Sequence, residues 1–259
     1  MAQRTTQPVP KSALVTGGAR RVGRAIALAL AGAGWNVAVH YGTSRDEAER
    51  TADDVRSLGT RAMTVAADLG DEAAVKEMVP RAEAELGPIG LLVNNASTFE
   101  RDQLSTATRE SWDRHMEPNL RAPLVLIQQF ADRLPAEYDG AVVNIIDQRV
   151  WNLTEDFLSY TLSKVGLWAL TRSLALELAP RIRINGVGPG PILPSVHQQQ
   201  DQFDAQARAM PLQHGAGPDE VADAVLYLAT ARSVTGQMIA VDAGQHLWWA
   251  PPGPETPRD

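Results

Sequence analysis

The sequence predicts a single α/β domain in which about seven parallel strands form one doubly wound sheet with helices on both faces. Short apolar runs alternate with longer segments of helical periodicity, and no break in composition divides the 259 residues. The apolar runs also lack the polar alternation of half-exposed strands, which indicates burial on both faces. Strands that alternate with helices are typical of a parallel sheet. A chain of this length buries a large core without disulfides or a structural metal.

The predicted strands are short and either β-branched or apolar. They are SALVT (12–16), NVAVHY (36–41), AMTVAAD (62–68), LLVNNA (91–96), AVVNIID (141–147), RINGVG (183–188) and QMIAVDAG (237–244). The segments between them have the composition of helices and end at Gly or Pro. The clearest of these helices are predicted at 23–34, 44–59, 71–87 and 159–180.

The two ends and one internal segment lack this regularity. Residues 1–10 are polar and contain proline, which predicts a flexible lead-in, and residues 250–259 predict an extended tail. We therefore place the folded domain at residues 11–249. Residues 191–217 form a long, mostly polar stretch without a clear strand. Such a stretch is usually a lid or binding loop, so we expect a substrate loop at about 189–217.

Composition and charge exclude several classes of protein. A net charge of −7 and a pI near 5.3 argue against a nucleic-acid-binding protein, which would show a basic surplus. The absence of cysteine excludes thiolate chemistry and favours the cytoplasm. No apolar run is long enough for a membrane span or a secretory signal. We expect no metal, because the five histidines show no ligand spacing and are expected in loops or at the surface, at positions 40, 115, 197, 214 and 246.

A glycine-rich turn, TGGARRVG (16–23), joins the first strand to the first helix. Glycines let the backbone approach a phosphate closely, and the helix N-terminus supplies free N–H groups and a favourable dipole. Gly17, Gly18 and Gly23 do not match G-x-G-x-x-G, so an ordinary βα turn is the alternative interpretation.

Three arginines in and after this turn favour an anionic ligand. Guanidinium groups match the geometry of phosphate, which would explain Arg20, Arg21 and Arg24. A solvated helix face would explain the same three residues.

The end of the second strand favours NADPH over NADH as the ligand of this turn. In NAD sites an acidic residue about 20 residues beyond the glycines binds the ribose hydroxyls. Here the strand ends at His40 and Tyr41, and no acidic residue follows directly. Thr43, Ser44 and Arg45 come first, and such groups would bind a 2′-phosphate that a carboxylate would repel. Arg45 could equally be the exposed start of the next helix.

Three further segments follow the glycine turn in a recognisable order. They are LLVNNAS (91–97), SYTLSK (159–164) and INGVGPG (184–190). With that turn, they resemble the short-chain dehydrogenase/reductases over essentially residues 11–248. The resemblance implies a Rossmann-type domain.

The resemblance also implies a catalytic tetrad of Asn, Ser, Tyr and Lys. Asn119, Tyr160 and Lys164 stand at three of these positions, but Asp147 replaces the serine, thirteen residues before Tyr160. Tyr160 and Lys164 lie four residues apart and share one face of a helix, so the ammonium can lower the pKa of the phenol. Asn119 is expected to position Lys164 through water.

Asp147 distinguishes two kinds of reduction. When a carbonyl is reduced, negative charge develops on oxygen, and an adjacent carboxylate would oppose it. When a C=N bond is reduced, nitrogen gains a proton, which a carboxylic acid beside Tyr160 could relay. A structural hydrogen bond at the edge of the core is the alternative explanation of Asp147.

Arg21 and Phe99 indicate a smaller group of reductases within this family. Together with Asp147 they resemble the pteridine reductases and the bacterial dihydromonapterin/dihydrofolate reductases. In those relatives the arginine contacts cofactor phosphate and pterin, and the aromatic ring stacks the pterin against the nicotinamide. Taken alone, Phe99 could be a loop aromatic packed at the sheet edge. The substrate contacts that the resemblance implies are Arg21, Ser97, Phe99, Asp147 and Tyr160. Trp151, in the segment 147–158, is a further candidate for the wall of the substrate pocket.

The resemblance implies contacts to NADP(H) and a homotetramer. The expected cofactor residues are Gly17, Arg20, Arg21, Val22, His40, Tyr41, Ser44, Arg45, Asp68, Leu69, Asn95, Ala96, Tyr160, Lys164, Pro189 and Gly190. Asp68 would contact the adenine, and a helix N-cap is its alternative role. The tetramer would form through helices at 105–134 and 157–180, with Trp248 and Trp249 buried between subunits.

We therefore predict a cytoplasmic, NADPH-dependent reductase that transfers hydride to a C=N bond of a dihydropterin or dihydrofolate. One alternative is a carbonyl or 3-oxoacyl reductase of the same fold, in which Asp147 is merely tolerated. The other is a non-catalytic, NADPH-responsive binding protein, which the intact pair of Tyr160 and Lys164 disfavours.

Overall fold

A parallel sheet organises the domain, and its strand order is β3-β2-β1-β4-β5-β6-β7. The computed structural model describes residues 5–192 and 200–247. Within them the strands are β1 (Ser12–Val15), β2 (Asn36–Tyr41), β3 (Ala62–Ala66), β4 (Leu91–Asn94), β5 (Gly140–Ile145), β6 (Ile182–Pro189) and β7 (Met238–Val241). The chain begins in the middle of the sheet, winds to one edge, and returns to wind to the other. This order confirms the predicted doubly wound, Rossmann-type fold.

Helices cover both faces of the sheet. They are α1 (Arg21–Gly32), α2 (Arg45–Ser57), α3 (Glu72–Lys76), α4 (Met78–Leu86), α5 (Arg109–Met116), α6 (Ala122–Arg133), α7 (Leu158–Glu177), α8 (Gln200–Ala209) and α9 (Pro218–Thr230). A π-helical turn, Glu117–Arg121, joins α5 to α6, and short 3-10 turns lie at Gln148–Val150 and Gln245–Leu247. None of the helices in the described ranges is both long and apolar enough to cross a membrane.

Two predicted helices are divided in the structure. The helix predicted at 71–87 consists of α3 and α4, because Pro80 cannot donate a hydrogen bond to the carbonyl four residues earlier. The helix predicted at 105–134 contains the π-helical turn, which begins beside Pro118.

The core consists of two layers, one on each face of the sheet. Along β1, Ala13 and Val15 pack with α1, α2 and α9. Leu14, between them, packs on the opposite face with α4, α6 and α7. Because successive side chains of a strand point to opposite faces, both sets must be apolar. This explains why the central strands show no polar alternation.

A ladder of buried polar side chains ties the centre of the sheet to α7. The Asn94 Nδ2 donates to Asn144 Oδ1 at 2.8 Å, and the Asn144 Nδ2 donates to Thr171 Oγ1 at 2.8 Å. All three residues are buried. Since a buried polar group is costly unless it is paired, this ladder fixes β4, β5 and α7 relative to one another.

Several predicted segments end differently in the structure. The strands predicted at 62–68, 91–96 and 141–147 end two residues earlier, at residues 66, 94 and 145, so their last residues lie in loops. Within the predicted 189–217 loop, α8 is the regular element that the structure describes.

The proposed division of the chain into lead-in, domain and tail stays a prediction. In the lead-in, the Gln7 N–H donates to the Asp139 carboxylate, and the Pro8 carbonyl accepts from the Asp139 N–H. The tail at 250–259, Trp248, Trp249 and His197 lie outside the described residues.

Gly23 provides a test of the close packing at the first turn. A Cβ at this position would collide with the Gly17 carbonyl oxygen and approach the Asn95 side chain. We expect Gly23→Ala to lower the free energy of unfolding by about 1–3 kcal/mol, as overpacking commonly does. Urea denaturation would measure the change.

Gly32 supplies the matched control for this substitution. It lies in the same helix, and a Cβ there would meet no atom within 4 Å. Gly32→Ala should leave stability unchanged or raise it by up to about 1 kcal/mol, because Ala favours helix. Equal stability of the two variants would contradict the close packing described above.

Candidate active site

A cavity of about 780 Å³ lies at the carboxyl ends of the central strands. In doubly wound sheets, ligands bind in this crevice. The predicted site residues that line it are Gly17, Arg20, Arg21, Val22, His40, Tyr41, Ser44, Asp68, Leu69, Asn95, Ala96, Ser97, Phe99, Asp147, Tyr160, Lys164, Pro189 and Gly190. Residues as far apart in the chain as Gly17 and Gly190 therefore meet around one space.

Three predicted residues lie outside this lining. Arg45 begins α2, which is the alternative role considered for it. Trp151 follows the 3-10 turn at Gln148–Val150, and its ring packs against His246 with centroids 5.1 Å apart. A role of Trp151 in substrate binding stays a prediction. Asn119 is buried behind the lining.

The glycine turn is held open by contacts from two neighbouring strands. Gly17 has φ +60°, a conformation that glycine adopts readily, and its N–H donates to His40 Nδ1 at 2.9 Å. On the other side, Asn95 Nδ2 donates to the carbonyls of Thr16 and Gly17 at 2.9 and 3.2 Å. A side chain at Gly23 would fill the cradle between them.

This cradle fits the phosphates of a dinucleotide. The N-terminus of α1 opens directly onto it, and Arg20 and Arg21 stand at its edge. Arg24 has another role, because it forms an ion pair with Asp54 at 2.7 Å on the exposed side of α1. The solvated-face interpretation therefore holds for Arg24.

Asp68 lies in the lining at the adenosine end that the Rossmann arrangement predicts. Its Oδ1 accepts from the Gly70 N–H at 2.9 Å. The N-cap of α3 is Asp71, whose side chain accepts from Ala73 and Ala74 N–H groups. The alternative role of Asp68 as a helix cap is therefore wrong, since Asp71 stands directly before the helix.

Two histidines are buried, contrary to the expectation of loop or surface positions. His40 lies within β2, and burial lowers its pKa to about 4, so the ring is neutral at physiological pH. A neutral ring can accept from Gly17 at Nδ1 while its Nε2 donates to the Ala67 carbonyl at 3.1 Å. His40 therefore holds the glycine turn against the next strand.

Asp147 and Tyr160 form the central contact of the cavity. The Tyr160 hydroxyl donates to Asp147 Oδ2 at 2.8 Å. The other carboxylate oxygen accepts from the Arg149 N–H at 2.7 Å, which caps the 3-10 turn and fixes the carboxylate. The sequence places these residues thirteen positions apart, and the structure brings them into direct contact.

Lys164 lies beneath Tyr160 and does not lower its pKa as expected. The Lys164 Nζ donates to the Ile145 carbonyl at 2.9 Å, and burial lowers the pKa of Lys164 to about 8. Burial, with the Asp147 carboxylate as the next cause, raises the pKa of Tyr160 well above its ordinary value. The loss of water and the negative neighbour outweigh the positive charge of Arg149, which acts to lower the pKa of Tyr160.

Asn119 holds a loop of the site. It lies in the π-helical turn, where its Oδ1 accepts from the Thr98 N–H at 2.8 Å and its Nδ2 donates to Ser163 Oγ at 3.1 Å. Ser163 precedes Lys164, so Asn119 is tied to α7 beside the lysine. Positioning of Lys164 through water stays a prediction.

Aromatic rings form one side of the cavity. Phe99 stacks on Phe157 with ring centroids 4.4 Å apart and meets Tyr160 edge-on at 4.7 Å. Phe99 is 36% exposed and lines the cavity, whereas Phe157 is buried. Sequence reasoning missed Phe157, which takes a left-handed backbone conformation with φ +61° directly before α7.

A buried polar network supports this aromatic side and was also missed. His115 Nε2 accepts from the Glu100 N–H at 3.1 Å, and its Nδ1 faces Ser159 Oγ at 2.6 Å. The Ser159 hydroxyl and N–H both donate to the Asp102 carboxylate. The network thereby joins the loop that carries Phe99 to the first turn of α7. No local pattern in the sequence signals it, because its members come from three separate segments.

The part of the chain that the structure describes contains no group of three His, Asp or Glu side chains able to hold a metal ion.

Comparison with known families gives a match over most of the chain. The family described as enoyl-(acyl carrier protein) reductase matches residues 17–246. Among curated proteins, the 3-oxoacyl-(acyl-carrier-protein) reductase FabG of Staphylococcus epidermidis is 32% identical over 242 residues. That alignment covers 92% of this chain and 99% of the relative.

Two solved structures are more similar to this chain in sequence than the FabG protein is. FolM alternative dihydrofolate reductase 1 from Brucella suis, in complex with NADP, is 48% identical with a TM-score of 0.90. The alignment covers 94% of this chain and 97% of the Brucella suis chain. The corresponding Brucella canis protein, in complex with NADP, is 47% identical with a TM-score of 0.88. That alignment covers 93% of this chain and 96% of the Brucella canis chain.

Acidification should release the glycine turn through His40. The folded pKa of about 4 lies below the ordinary 6.5, so below pH 6.5 the unfolded chain binds a proton that the folded chain does not. His40 therefore adds stability above pH 6.5 that is lost as the pH falls through 4. The loss amounts to about 3 kcal/mol at most.

Urea denaturation from pH 7 to pH 4 would measure this loss. His40→Asn removes the titrating group, so its stability should depend less on pH across this window. Parallel curves for the two proteins would exclude His40 as the cause.

Proposed function

The chain belongs to the short-chain dehydrogenase/reductase superfamily, and we propose that it reduces a C=N bond in the ring of a dihydropterin or dihydrofolate. It is an NADP(H)-dependent oxidoreductase, like the FolM structures with NADP to which it is similar. One observation carries the choice of substrate: the Tyr160 hydroxyl is bonded to the carboxylate of Asp147 at 2.8 Å in the cavity.

This contact suits a nitrogen better than a carbonyl oxygen. A carbonyl that accepts hydride becomes an oxyanion, which the Asp147 carboxylate would repel. A C=N bond that accepts hydride at carbon requires a proton at nitrogen, and an acid pair beside the ring can supply it. The replacement of serine by Asp147 therefore supports C=N reduction.

NADPH, when bound, supplies the hydride from its nicotinamide. The cradle around Gly17, with Arg20 and Arg21, would hold its phosphates, and Lys164 would hold its ribose. Ser44, at the N-cap of α2, would help to bind a 2′-phosphate.

The Tyr160–Asp147 pair handles the proton. The raised pKa of Tyr160 keeps its phenol protonated at neutral pH, so a proton is held at the cavity wall. We propose that this proton leaves the pair for the ring nitrogen as hydride reaches the ring carbon, and that solvent restores it. Lys164, buried beneath Tyr160, would offset the negative charge that develops on the pair.

Phe99 supports a flat heteroaromatic ring as the substrate. Its ring lines the cavity, where it would stack on a pterin. Ser97 and Arg21 line the same cavity and would donate to the polar edge of the pterin.

A 3-oxoacyl or carbonyl reductase is the second candidate function. The family match and FabG at 32% identity support it. On this alternative Asp147 would be tolerated without a role in proton transfer, and ketones would be the preferred substrates.

We also propose a cytoplasmic homotetramer. Large apolar side chains are exposed on the helices that would meet, namely Trp112 on α5 and Leu162 and Leu176 on α7. Light scattering on the purified protein would report the mass of four chains, and the mass of one chain would exclude this assembly.

NADPH oxidation assays with dihydrobiopterin, dihydromonapterin, dihydrofolate and a panel of ketones test the proposed function. We expect turnover of at least one of the three pterins, with NADPH preferred over NADH. Turnover of ketones without turnover of any pterin would overturn the proposal.

Substitution of Asp147 tests the role of the acid pair. We expect Asp147→Asn and Asp147→Ser to lower kcat/KM for the dihydropterin by about 10²–10⁴-fold, the usual contribution of a positioned acid. Asp147→Ser should leave ketone turnover unchanged or raise it, because a neutral hydroxyl suits an oxyanion.

Asp132→Ser, on the exposed face of α6, serves as the control for loss of an acidic residue. Circular dichroism and thermal melting would show that each variant is folded. An Asp147→Ser variant with full pterin turnover would remove Asp147 from the reaction.

A further inference from the structure

Asp102 caps helix α7 from a loop outside that helix. We propose that this cap is a specificity device of the site: it holds the Phe99 ring in the cavity wall, so that a flat ring can stack on it. Asp102 lies outside the cavity lining and is therefore a positioning residue, which acts on the substrate through Phe99. The inference rests on the proposed function and adds to it residues that do not contact the substrate.

The first observation is that α7 has no side-chain cap of its own. Its N-cap residue is Phe157, which offers no acceptor. The first two N–H groups of the helix donate to Asp102 instead: that of Leu158 to the carbonyl at 3.1 Å, and that of Ser159 to Oδ1 at 3.0 Å. Such groups have no partner within their helix, and the helix dipole favours a carboxylate beside them. Asp102 and Ser159 are both buried, so a lost cap would leave a buried donor unpaired.

A chain of side-chain hydrogen bonds reinforces this cap. The Glu100 N–H donates to His115 Nε2 at 3.1 Å, so the ring proton is on Nδ1, which faces Ser159 Oγ at 2.6 Å. Burial lowers the pKa of His115, which keeps the ring neutral at physiological pH. The Ser159 hydroxyl in turn donates to Asp102 Oδ2. The chain thus joins two points of the loop after Phe99 to the same turn of α7.

Ser159, His115 and Asp102 are the residue types of a hydrolytic triad, but their order excludes that chemistry. In a triad the serine gives its proton to the histidine, and the carboxylate binds the histidine. Here the Ser159 hydroxyl donates directly to the carboxylate. Ser159 is also fully buried and lies outside the cavity lining, so it cannot attack a ligand there. The arrangement therefore fits a positioning role.

Asp156 ties the same two loops together in the opposite direction. It directly precedes Phe157, and its Oδ1 accepts from the side chains of Arg101 and Gln103, the two neighbours of Asp102. Each loop therefore provides a buried carboxylate that the other loop binds. Because a buried charge is costly unless it is hydrogen-bonded, this exchange fixes the loops relative to each other.

The two aromatic rings stand at the ends of this connection. Phe99 precedes Asp102 by three residues, and Phe157 directly precedes α7. Their rings stack with centroids 4.4 Å apart, and Phe99 presents its exposed part to the cavity. A wall that is fixed before binding loses little freedom when a ring stacks on it. The cap should therefore affect binding of the ring more than the chemical step, since Tyr160 and Asp147 are fixed by their own contacts.

Steady-state kinetics of Ser159→Ala with dihydrobiopterin test this inference. The variant removes the hydroxyl that links His115 to Asp102. We expect KM for dihydrobiopterin to rise by about threefold to tenfold, which is what the loss of one aromatic stack accounts for. The kcat value and the dissociation constant of NADPH should change by less than about twofold, as expected when only binding of the ring is weakened. An unchanged KM would overturn the inference.

Asp102→Asn tests the cap from its other side. The amide keeps one acceptor oxygen, so the helix retains part of its cap and KM should rise in the same direction. Asp113→Asn is the matched control, because Asp113 is an acidic residue on α5 whose partner, Arg109, is exposed. The control should leave KM unchanged, and an equal rise in both variants would show a general effect of the lost charge and overturn the inference.

A second background separates action through Phe99 from a general structural role. If the cap acts through that ring, Ser159→Ala in a Phe99→Leu protein should change KM by less than about twofold, because coupled residues are not additive. A rise as large as that in the native background would contradict the inference.

Fluorine NMR gives a readout that does not depend on the substrate. The chain has four phenylalanines, so protein labelled with 4-fluorophenylalanine gives four signals, which single Phe→Leu variants assign. In Ser159→Ala we expect the signals of Phe99 and Phe157 to shift or broaden, and that of Phe130, in the core under α6, to stay unchanged. Unchanged signals of Phe99 and Phe157 would overturn the inference. Absence of pterin turnover by the native protein would refute the proposed function, and the fluorine spectra would still decide whether Asp102 and Ser159 hold the aromatic wall.

Discussion

The position of helix α7 against strand β5 is the constraint on which the site depends. The buried Lys164 ammonium requires an acceptor, and it finds one in the last carbonyl of β5. Further along the same helix, Thr171 accepts from Asn144 of the same strand. Two buried contacts along one helix fix both its depth and its rotation. Tyr160, one turn before Lys164, is thereby held against Asp147, which follows β5 by two residues.

Opposite charges are separated along the cavity, although the whole chain carries −7. The end formed by the glycine turn contains Arg20, Arg21 and the N-terminus of α1, which favour an anion. The other end contains the Tyr160–Asp147 pair, where burial and the carboxylate oppose loss of the phenolic proton. The same cavity can therefore bind phosphates at one end and hold a transferable proton at the other.

The loops of the site contain strained backbone conformations, which lower the stability of the fold. Phe157 adopts a left-handed backbone conformation directly before α7, and Arg21 does so at the start of α1. Such conformations cost about 1–3 kcal/mol each and persist where the surroundings determine them. Around Phe157 those surroundings are the stacked Phe99 ring and the network of His115, whose ring connects the loop of Phe99 to α7. The strained conformation of Phe157 therefore lowers stability while it positions the aromatic side of the cavity.

The sequence by itself determined the fold class, the strand positions to within a few residues, the glycine turn, and the shared helix face of Tyr160 and Lys164. These features depend on local periodicity and spacing, which a sequence displays directly. The resemblance to the short-chain dehydrogenase/reductases, which four motifs carry, implied most of the residues that line the cavity. Only the tertiary structure decided that the phenol of Tyr160 lies against Asp147 and that His115 is buried. Those outcomes depend on which distant side chains the packing brings within a few ångströms and on how much water it removes, and neither quantity is encoded in any one segment.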